Sequence, residues 1–439
     1  MPKRIDTLIH AGWIAPLEPD DRVLVDHSIA VHHGHILALS PSDEARAAYI
    51  ADNDIELPGQ LLIPGLVNAH THAAMSLFRG LADDLPLMTW LNEHIWPAEH
   101  RWISEAFVAS GTALAAAEML RGGTTCFNDM YFFPDVTAKT CADAGLRAMV
   151  GLIVIDFPTA WADSVDAYFD KGTRVHDAWR AHPLIHTAFA PHAPYSVSDA
   201  PLERVRLLAD ELEIPVHIHL HETADEIEQS IESHGERPIA RLARLGLINP
   251  SLVAVHMTQL RDDEIALLAE HNANIVHCPE SNLKLASGFC PAARLLESGI
   301  NVALGTDGAA SNNDLNMLGE MRTAALLGKG VAGDATAIPA HTALRMATLN
   351  GAKALGLDAV TGSLLAGKSA DIVAVDLNRL CTQPVYDPVS QLVYSAGRDQ
   401  VSNVWVAGRR VVHDGALTTL DEVELRANAE AWRARIAAR

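Results

Sequence analysis

The sequence predicts an α/β protein, a (β/α)8 TIM barrel with a small accessory β-sandwich built from both chain ends. Two observations support this fold class. The middle of the chain alternates short apolar runs with amphipathic helical segments, and both ends contain strand-like runs bounded by glycine and aspartate. We expect residues 1–60 to form the first part of the sandwich and 61–360 the barrel. Residues 361–439 then complete the sandwich and add a terminal helix.

The accessory strands are predicted from short β-runs at both ends of the chain. Residues 7–10, 28–31 and 35–39 read as strands separated by polar turns, and residues 370–376 and 401–408 have the same texture. Because these runs flank the central region, we expect them to pair into one small sheet.

The barrel is predicted from eight apolar runs separated by helical patterns. The runs cover residues 66–69, 124–129, 148–155, 185–190, 216–220, 252–255, 274–276 and 302–305. The helical patterns between them include residues 105–121, 202–212, 238–245, 262–271 and 292–298. Eight buried strands alternating with helices is the period of a (β/α)8 barrel.

Charge and composition exclude several classes of partner. The net charge of −22 disfavours binding to nucleic acid or to an anionic membrane surface. The N-terminal sequence MPKRIDTLIHAG has no apolar core of signal-peptide length, and no later run approaches a membrane span, so we expect no membrane and a cytoplasmic location. The five scattered cysteines contain no C-x-x-C pair, which argues against disulfides and a zinc-thiolate site.

Side chains suited to metal binding or proton transfer follow five of the eight predicted strands. These are His70 and His72 after the first strand, His192 after the fourth, His219 and Glu222 after the fifth, His256 after the sixth and Asp307 after the eighth. Any one histidine is most simply a hydrogen-bonded structural residue. Their repeated placement at the catalytic end of a barrel favours a metal site instead.

The predicted metal site combines imidazole nitrogens with one carboxylate. His70, His72, Asp307 and one histidine of VHIHLHE, residues 216–222, would suit Zn²⁺ or Fe²⁺. Strand positions two apart share a face, so alternation alone leaves open which histidine of that stretch is the ligand.

Two glycine-rich motifs and a group of tryptophans can be explained by local structure or packing. Residues 362–369 match the phosphate-binding pattern G-x-x-x-x-G-K-S, but they follow a helical stretch and precede a strand, so we predict a turn. Residues 328–333 match G-x-G-x-x-G after a helix, and we predict a loop. The tryptophans at 90, 96 and 102 either line an apolar pocket or pack a loop over the barrel mouth.

Taken together, the motifs resemble those of the metal-dependent amidohydrolase superfamily. They are PGLVNAHTH at 64–72, His219-x-x-Glu222, His256, GTDG at 305–308 and GSLLAGKSAD at 362–371. Within it the chain is similar to the TRZ/ATZ branch and most of all to 5-methylthioadenosine/S-adenosylhomocysteine deaminases. The resemblance runs nearly end to end.

The resemblance implies one divalent metal per subunit, zinc first and Fe²⁺ as the alternative. Its ligands would be His70, His72, His219 and Asp307, because the family's metal histidine stands three residues before its catalytic glutamate. Binuclear members of the superfamily carry a carboxylated lysine where this chain has His192, so a single metal is expected.

The resemblance also implies the remaining site residues. Glu99 is similar to the residue that binds ribose hydroxyls, and His192 to a substrate-binding histidine. Glu222 and Asp307 are expected to contact substrate and transfer protons, and His256 to stabilise charge in the transition state.

The implied reaction is hydrolytic deamination of the adenine ring of a small nucleoside, 5'-methylthioadenosine. S-adenosylhomocysteine and adenosine are further substrates to consider. No arginine occurs from the third predicted strand to Arg174, whereas relatives that accept S-adenosylhomocysteine use arginines there, so the uncharged methylthio tail is favoured.

Two alternatives stay open at this point. One is another aminohydrolase or a chlorohydrolase of the same branch, acting on guanine, a pterin or a triazine. The other is a non-catalytic scaffold, which the retained ligands argue against. Enzymes of this branch are often dimers or larger, so the resemblance is compatible with a homo-oligomer.

Overall fold

Two eight-stranded sheets organise the computed structural model, which describes residues 2–438. The strands are β1 (Lys3–Ile14), β2 (Leu24–His32), β3 (His35–Pro41), β4 (Tyr49–Pro64), β5 (Leu66–Thr71), β6 (Thr124–Asp129), β7 (Arg147–Val154), β8 (Ile185–Pro191), β9 (Val216–Leu220), β10 (Leu252–His256), β11 (Asn274–His277), β12 (Asn301–Leu304), β13 (Ile372–Asp376), β14 (Val401–Val406), β15 (Arg409–His413) and β16 (Ala416–Leu417).

Helices cover the barrel and connect its strands. The α-helices are α1 (Ser42–Ala48), α2 (Leu87–Thr89), α3 (Trp96–Trp102), α4 (Glu105–Arg121), α5 (Pro134–Ala144), α6 (Val165–Trp179), α7 (Asp199–Leu212), α8 (Ala224–His234), α9 (Pro238–Arg244), α10 (Asp262–Glu270), α11 (Pro279–Lys284), α12 (Ala292–Glu297), α13 (Met317–Ala332), α14 (Ala340–Met346), α15 (Leu349–Ala354), α16 (Pro388–Tyr394) and α17 (Glu422–Ala437). A π-helix (Trp90–Ile95) joins α2 to α3, and short 3₁₀ helices cover Ala73–Phe78, Leu380–Thr382 and Arg398–Gln400.

The barrel consists of β5 to β12, all parallel and in sequence order, so the eight predicted strands are confirmed. Nearly every residue of these strands is buried, which explains their continuous apolar runs. Side chains complete the ring between β12 and β5. The Asn68 amide donates to the Thr306 hydroxyl at 2.8 Å, and the Thr306 backbone N–H donates back to Asn68 Oδ1 at 2.9 Å. One residue later, the Asp307 N–H donates to the His70 carbonyl.

The accessory sheet combines strands from both chain ends, as predicted, in the order β16-β15-β14-β13-β4-β1-β2-β3. The sheet curls around a shared apolar core that contains Ile9, Ile36, Ile372 and Trp405. The longest strand of this sheet, β4, was not predicted, because much of it is exposed and polar. The predicted terminal helix corresponds to α17.

Of the two predictions for the glycine-rich motifs, one is confirmed and the other is wrong. Residues 362–369 form a turn between α15 and β13, as predicted, with Lys368 paired to Glu18 at 2.8 Å. The predicted loop at 328–333 is wrong, because Gly328 to Ala332 form the last turn of α13. The helix ends at Gly333, whose φ of 65° is the left-handed conformation that glycine adopts readily.

No single helix among residues 2–438 has the length and apolar character of a membrane span. A bent pair, Leu87–Trp102 with Glu105–Arg121, passes by length and composition only. The division into domains at residues 60 and 360 stays a prediction.

Candidate metal centre and substrate pocket

Four of the predicted side chains converge at the carboxyl ends of the barrel strands. A nitrogen from each of His70, His72 and His219 and a carboxylate oxygen of Asp307 all lie within 4.8 Å of one another. Asp307 Oδ1 is 3.2 Å from His70 Nε2 and 3.3 Å from His72 Nε2. His219 Nε2 is 3.3 Å from His70 Nε2 and 3.2 Å from His72 Nε2.

These separations fit a shared metal ion. Zinc binds imidazole nitrogen and carboxylate oxygen at about 2.0–2.1 Å, so two atoms bound to one ion lie no more than about 4.2 Å apart. The four separations of 3.2–3.3 Å are within that limit. The donor set and its spacing therefore fit a divalent ion of the zinc type.

Hydrogen bonds orient two of the imidazoles for this purpose. His72 Nδ1 donates to the Met130 carbonyl at 2.6 Å, and His219 Nδ1 donates to the His192 carbonyl at 2.8 Å. Because carbonyl oxygens only accept, both rings carry a proton on Nδ1 and turn Nε2 toward the centre, where it can bind a metal ion once it is unprotonated.

Serine hydroxyls hold the carboxylate of Asp307. Ser281 and Ser311 each donate to Asp307 Oδ2 at 2.7 Å, and the Gly308 N–H donates to Oδ1 at 2.8 Å. Asp307 itself has a φ of 63°, a left-handed conformation that is uncommon for a residue other than glycine. These contacts leave Oδ1 facing the imidazoles.

Electrostatics at the centre favour neutral imidazoles at His70 and His219 and an ionised Asp307 that holds a proton on His72. Burial lowers the pKa of His70 to about 4 and that of His219 well below its ordinary value. Burial opposes ionisation of Asp307, but hydrogen bonds and charge from His70 and His72 hold its pKa well below the usual range. Burial also lowers the pKa of His72, but the hydrogen bond and charge of Asp307 outweigh burial and raise that pKa to about 9. A metal ion that binds here would therefore displace a proton from His72.

The VHIHLHE stretch divides into three different environments. His219 faces the centre, as the resemblance to the family implied. His217 lies deeper, with Nε2 at 2.8 Å from His70 Nδ1. His221 turns away, because its Nδ1 donates to the Gln259 carbonyl and its Nε2 accepts the Ile239 N–H, both at 3.2 Å.

A buried carboxylate holds the loop that carries Glu222. Glu226, on the first turn of α8, accepts the backbone N–H of His221 at 3.0 Å and that of Glu222 at 2.6 Å. The Thr258 hydroxyl donates to the Glu222 carbonyl at 2.7 Å. Burial raises the pKa of Glu222 above its ordinary value, which suits a side chain that must carry a proton at neutral pH.

His256 is the last residue of β10 and lines the same pocket. Its Nδ1 lies 2.8 Å from Asn282 Oδ1, so Nδ1 carries the proton and donates it. Its Nε2 lies 3.9 Å from Glu222 Oε2. The backbone φ of 76° at His256 is uncommon for a residue other than glycine, and such strain is concentrated at functional sites.

Glu99 and His192 line the same pocket further from the centre. The Tyr131 hydroxyl donates to Glu99 Oε1 at 2.8 Å. Burial raises the pKa of Glu99 to about 7, although the bond from Tyr131 and the charge of His72 oppose the rise. The Ser196 hydroxyl donates to the Ala193 carbonyl at 3.1 Å, so it accepts the proton of His192 Nδ1 at 2.8 Å. Burial lowers the pKa of His192 to about 3, which leaves a neutral ring with an acceptor nitrogen.

The pocket encloses about 810 Å³, including solvent at its open mouth. Polar groups cluster at the metal end, and the rest of the wall is apolar. The apolar residues include Leu87, Trp90, Leu91, Ile95, Trp96, Phe132, Ile153, Ile155, Phe157 and Leu285. No lysine or arginine of the described chain is among the lining residues.

The sequence left open whether the three tryptophans line the pocket, and the structure places only two of them there. Trp90 and Trp96 line the pocket. Trp102 is not among the lining residues. It packs in an apolar cluster, and the guanidinium groups of Arg101 and Arg435 lie over its ring.

Sequence reasoning missed five residues of the site. They are Tyr131, Glu226, Ser281, Asn282 and Ser311. Ser281 and Asn282 follow the seventh strand, where the strand-end rule would have drawn attention to them. Thr223-x-x-Glu226 has the spacing of a helix capping box, which is a visible signal.

Comparison with known proteins agrees with this geometry. Residues 61–411 match the model of the amidohydrolase family. The chain belongs to the amidohydrolase family. It is 54% identical to a 5-methylthioadenosine/S-adenosylhomocysteine deaminase of Teredinibacter turnerae, covering 99% of this chain and 98% of that protein. It is 50% identical to the deaminase of the same description from Saccharophagus degradans, covering 99% and 97%.

Solved structures of amidohydrolases have the same fold. A crystal structure described as an adenosine deaminase from Xanthomonas campestris with bound zinc is 56% identical, covers 99% of each chain and superposes with a TM-score of 0.98. The atrazine chlorohydrolase TrzN from Arthrobacter aurescens has a TM-score of 0.91 at 23% identity, covering 97% of this chain and 99% of that one. At that identity the second likeness supports the fold alone.

Proposed function

We propose that this protein is a zinc-dependent hydrolase that deaminates the adenine ring of 5'-methylthioadenosine at C6. The products are ammonia and the corresponding inosine analogue. The observation that carries the proposal is the convergence of His70, His72, His219 and Asp307 on one point, with Glu222 and His256 lining the same pocket. The two relatives at 54% and 50% identity support the substrate class.

A zinc ion on the four ligands would supply a water that ionises near pH 7. The chain's own residues then handle the protons. Asp307 has little capacity left, because Ser281 and Ser311 occupy Oδ2 while Oδ1 accepts the Gly308 N–H and faces the imidazoles. We therefore assign proton transfer to Glu222 rather than to Asp307.

Glu222 acts at two atoms of the substrate. Its raised pKa lets it donate a proton to ring N1, which makes C6 electrophilic. As water adds to C6 and makes it a tetrahedral centre, Glu222 accepts one water proton and passes it to the amino group. The C6–N bond then breaks to release ammonia, the water oxygen stays on C6 as the carbonyl, and its second proton returns to Glu222.

His256, Glu99 and His192 position the substrate and its developing charge. Asn282 fixes the ring of His256, which lies close enough to Glu222 to act on the same tetrahedral centre. Glu99 accepts hydrogen bonds from ribose hydroxyls, and the acceptor nitrogen of His192 faces the pocket.

The apolar wall favours the methylthio tail over an amino-acid tail. S-adenosylhomocysteine would bring a carboxylate and an ammonium group against residues such as Ile155 and Phe157, with no lining cation to pair with the carboxylate. We propose 5'-methylthioadenosine as the preferred substrate, with S-adenosylhomocysteine and adenosine as weaker ones. The cytoplasmic location and the homo-oligomer stay predictions.

An ammonia-release screen on the zinc-loaded protein tests the proposal. The substrates are 5'-methylthioadenosine, S-adenosylhomocysteine, adenosine, guanine and a chlorotriazine, the last followed by chloride release. The highest kcat/KM should be for 5'-methylthioadenosine. A preference for guanine or the triazine would overturn the substrate assignment, and a protein that binds no metal and turns over nothing would be a scaffold.

A further inference from the structure

The imidazole of His217 lies directly behind the metal centre. His70 Nδ1 and His217 Nε2 are 2.8 Å apart, and both side chains are fully buried. Their ring centroids are 4.9 Å apart with the planes at 76°. This edge-on contact joins the deepest of the four proposed ligands to a histidine one layer lower in the barrel.

The position of the protons follows from the role of His70. To present a lone pair from Nε2 to a metal ion, His70 must carry its proton on Nδ1. That N–H can then donate only to an unprotonated His217 Nε2, so His217 carries its own proton on Nδ1. Among the described residues, His217 Nδ1 has no hydrogen-bond partner.

An unpaired buried polar atom destabilises a fold. A residue needed only to fill this space would therefore be better as leucine or methionine. The polar atom that does have a partner, Nε2, is the one that faces the ligand. This asymmetry points to a role for His217 in the metal centre.

Because His70 lies deep in the barrel, its Nδ1 proton must be accepted by a side chain. His72 and His219 donate to the carbonyls of Met130 and His192, which lie just beyond the ends of their strands. His70 Nδ1 points into the barrel, where backbone carbonyls are engaged in the hydrogen bonds between strands. Only a side chain can accept its proton there.

We propose that His217 is the positioning residue for His70, accepting the Nδ1 proton and so fixing the tautomer and ring orientation that direct His70 Nε2 toward the metal. The inference rests on the metal centre of the proposed function. Loss of such an outer hydrogen bond to a metal-binding histidine typically weakens metal affinity by about 10- to 100-fold.

Zinc affinity of the full-length protein, measured by competition with a chromophoric chelator, tests the proposal apart from turnover. H217M has a similar length but no strong acceptor, and its affinity should fall by about 10- to 100-fold. H217Q places an amide oxygen near the position of Nε2, and it should restore most of that loss. H186M is the control, because His186 lies at the opposite end of the barrel on β8 and also has an unpartnered ring nitrogen.

Wild-type affinity in H217M would overturn the proposal, as would an H217Q affinity as low as that of H217M. If H217M fails to fold, nitrogen-15 NMR of the histidine-labelled, zinc-loaded wild type decides the matter. We expect protons on Nδ1 of both His70 and His217, and a proton on His217 Nε2 would contradict the proposal. A protein that binds zinc normally but releases no ammonia would instead contradict the proposed function alone.

Discussion

Glu226→Gln separates the function of a loop-holding carboxylate from that of the proton carrier beside it. The two oxygens of Glu226 accept the backbone N–H groups of His221 and Glu222 at 3.0 and 2.6 Å. Glutamine keeps one acceptor and turns an NH₂ group toward the other backbone N–H. The substitution is nearly isosteric, so it changes one hydrogen bond without opening a cavity.

The expected loss follows from that single unsatisfied group. Leaving a buried backbone N–H without an acceptor costs about 1–3 kcal/mol. If the loop relieves this cost by moving Glu222 away from the substrate, kcat should fall by about 5- to 150-fold. Zinc content should not change, because none of the four proposed ligands contacts Glu226.

The assay compares kcat for 5'-methylthioadenosine, zinc content and thermal stability in E226Q and wild type. E228Q provides the matched control, because Glu228 is on the same helix but exposed to solvent, and its kcat should equal that of wild type. Unchanged turnover in a folded, zinc-loaded E226Q would refute the reasoning that this carboxylate positions Glu222.

Three further predictions concern the pocket. E222Q should retain zinc and lose about 10²- to 10⁴-fold in kcat, because general acid–base catalysis supplies that much, and near-normal rates would contradict its role. Burial keeps the proton on Glu99 between its ordinary pKa of 4.5 and about 7, so its acceptor form appears as the pH rises through 7. The kcat/KM for 5'-methylthioadenosine should therefore rise more steeply through that range in wild type than in E99Q, which keeps only the rise that ionisation of a zinc-activated water would give, and an identical rise in both would exclude a contribution from Glu99. F157R puts a cation on the apolar wall and should increase kcat/KM for S-adenosylhomocysteine relative to 5'-methylthioadenosine, whereas an unchanged ratio would show that the tail lies elsewhere.

The barrel and its four-residue centre were predictable because both depend on short-range regularities. Each barrel strand is buried on both faces and therefore reads as a continuous apolar run. His70, His72, His219 and Asp307 stand where those runs end, and the geometry of a barrel brings such ends together. Within VHIHLHE, only the resemblance to the family indicated His219, and the bond from His70 to His217 could not be read from alternation.

The features that escaped the sequence depend on contacts between distant segments. Tyr131 reaches Glu99 across 32 positions, and nothing in either local sequence indicates the pairing. Ser281 reaches Asp307 because β11 and β12 are neighbours in the barrel. The loop prediction at 328–333 was wrong because the glycines of that motif lie within a helix that tertiary packing stabilises. Gly328 lies against Ile338, where a Cβ atom would come within 2.4 Å of its Cδ1.

Oxygen-18 incorporation tests hydrolytic deamination at C6 most directly. The zinc-loaded wild-type protein is incubated with 5'-methylthioadenosine in ¹⁸O-labelled water, and the nucleoside product is analysed by mass spectrometry, with E222Q in parallel. We predict that each wild-type product molecule carries one ¹⁸O atom on its purine ring, in step with ammonia release, and that E222Q forms little product. Product without the label, or a label on the ribose or the methylthio group, would contradict the mechanism.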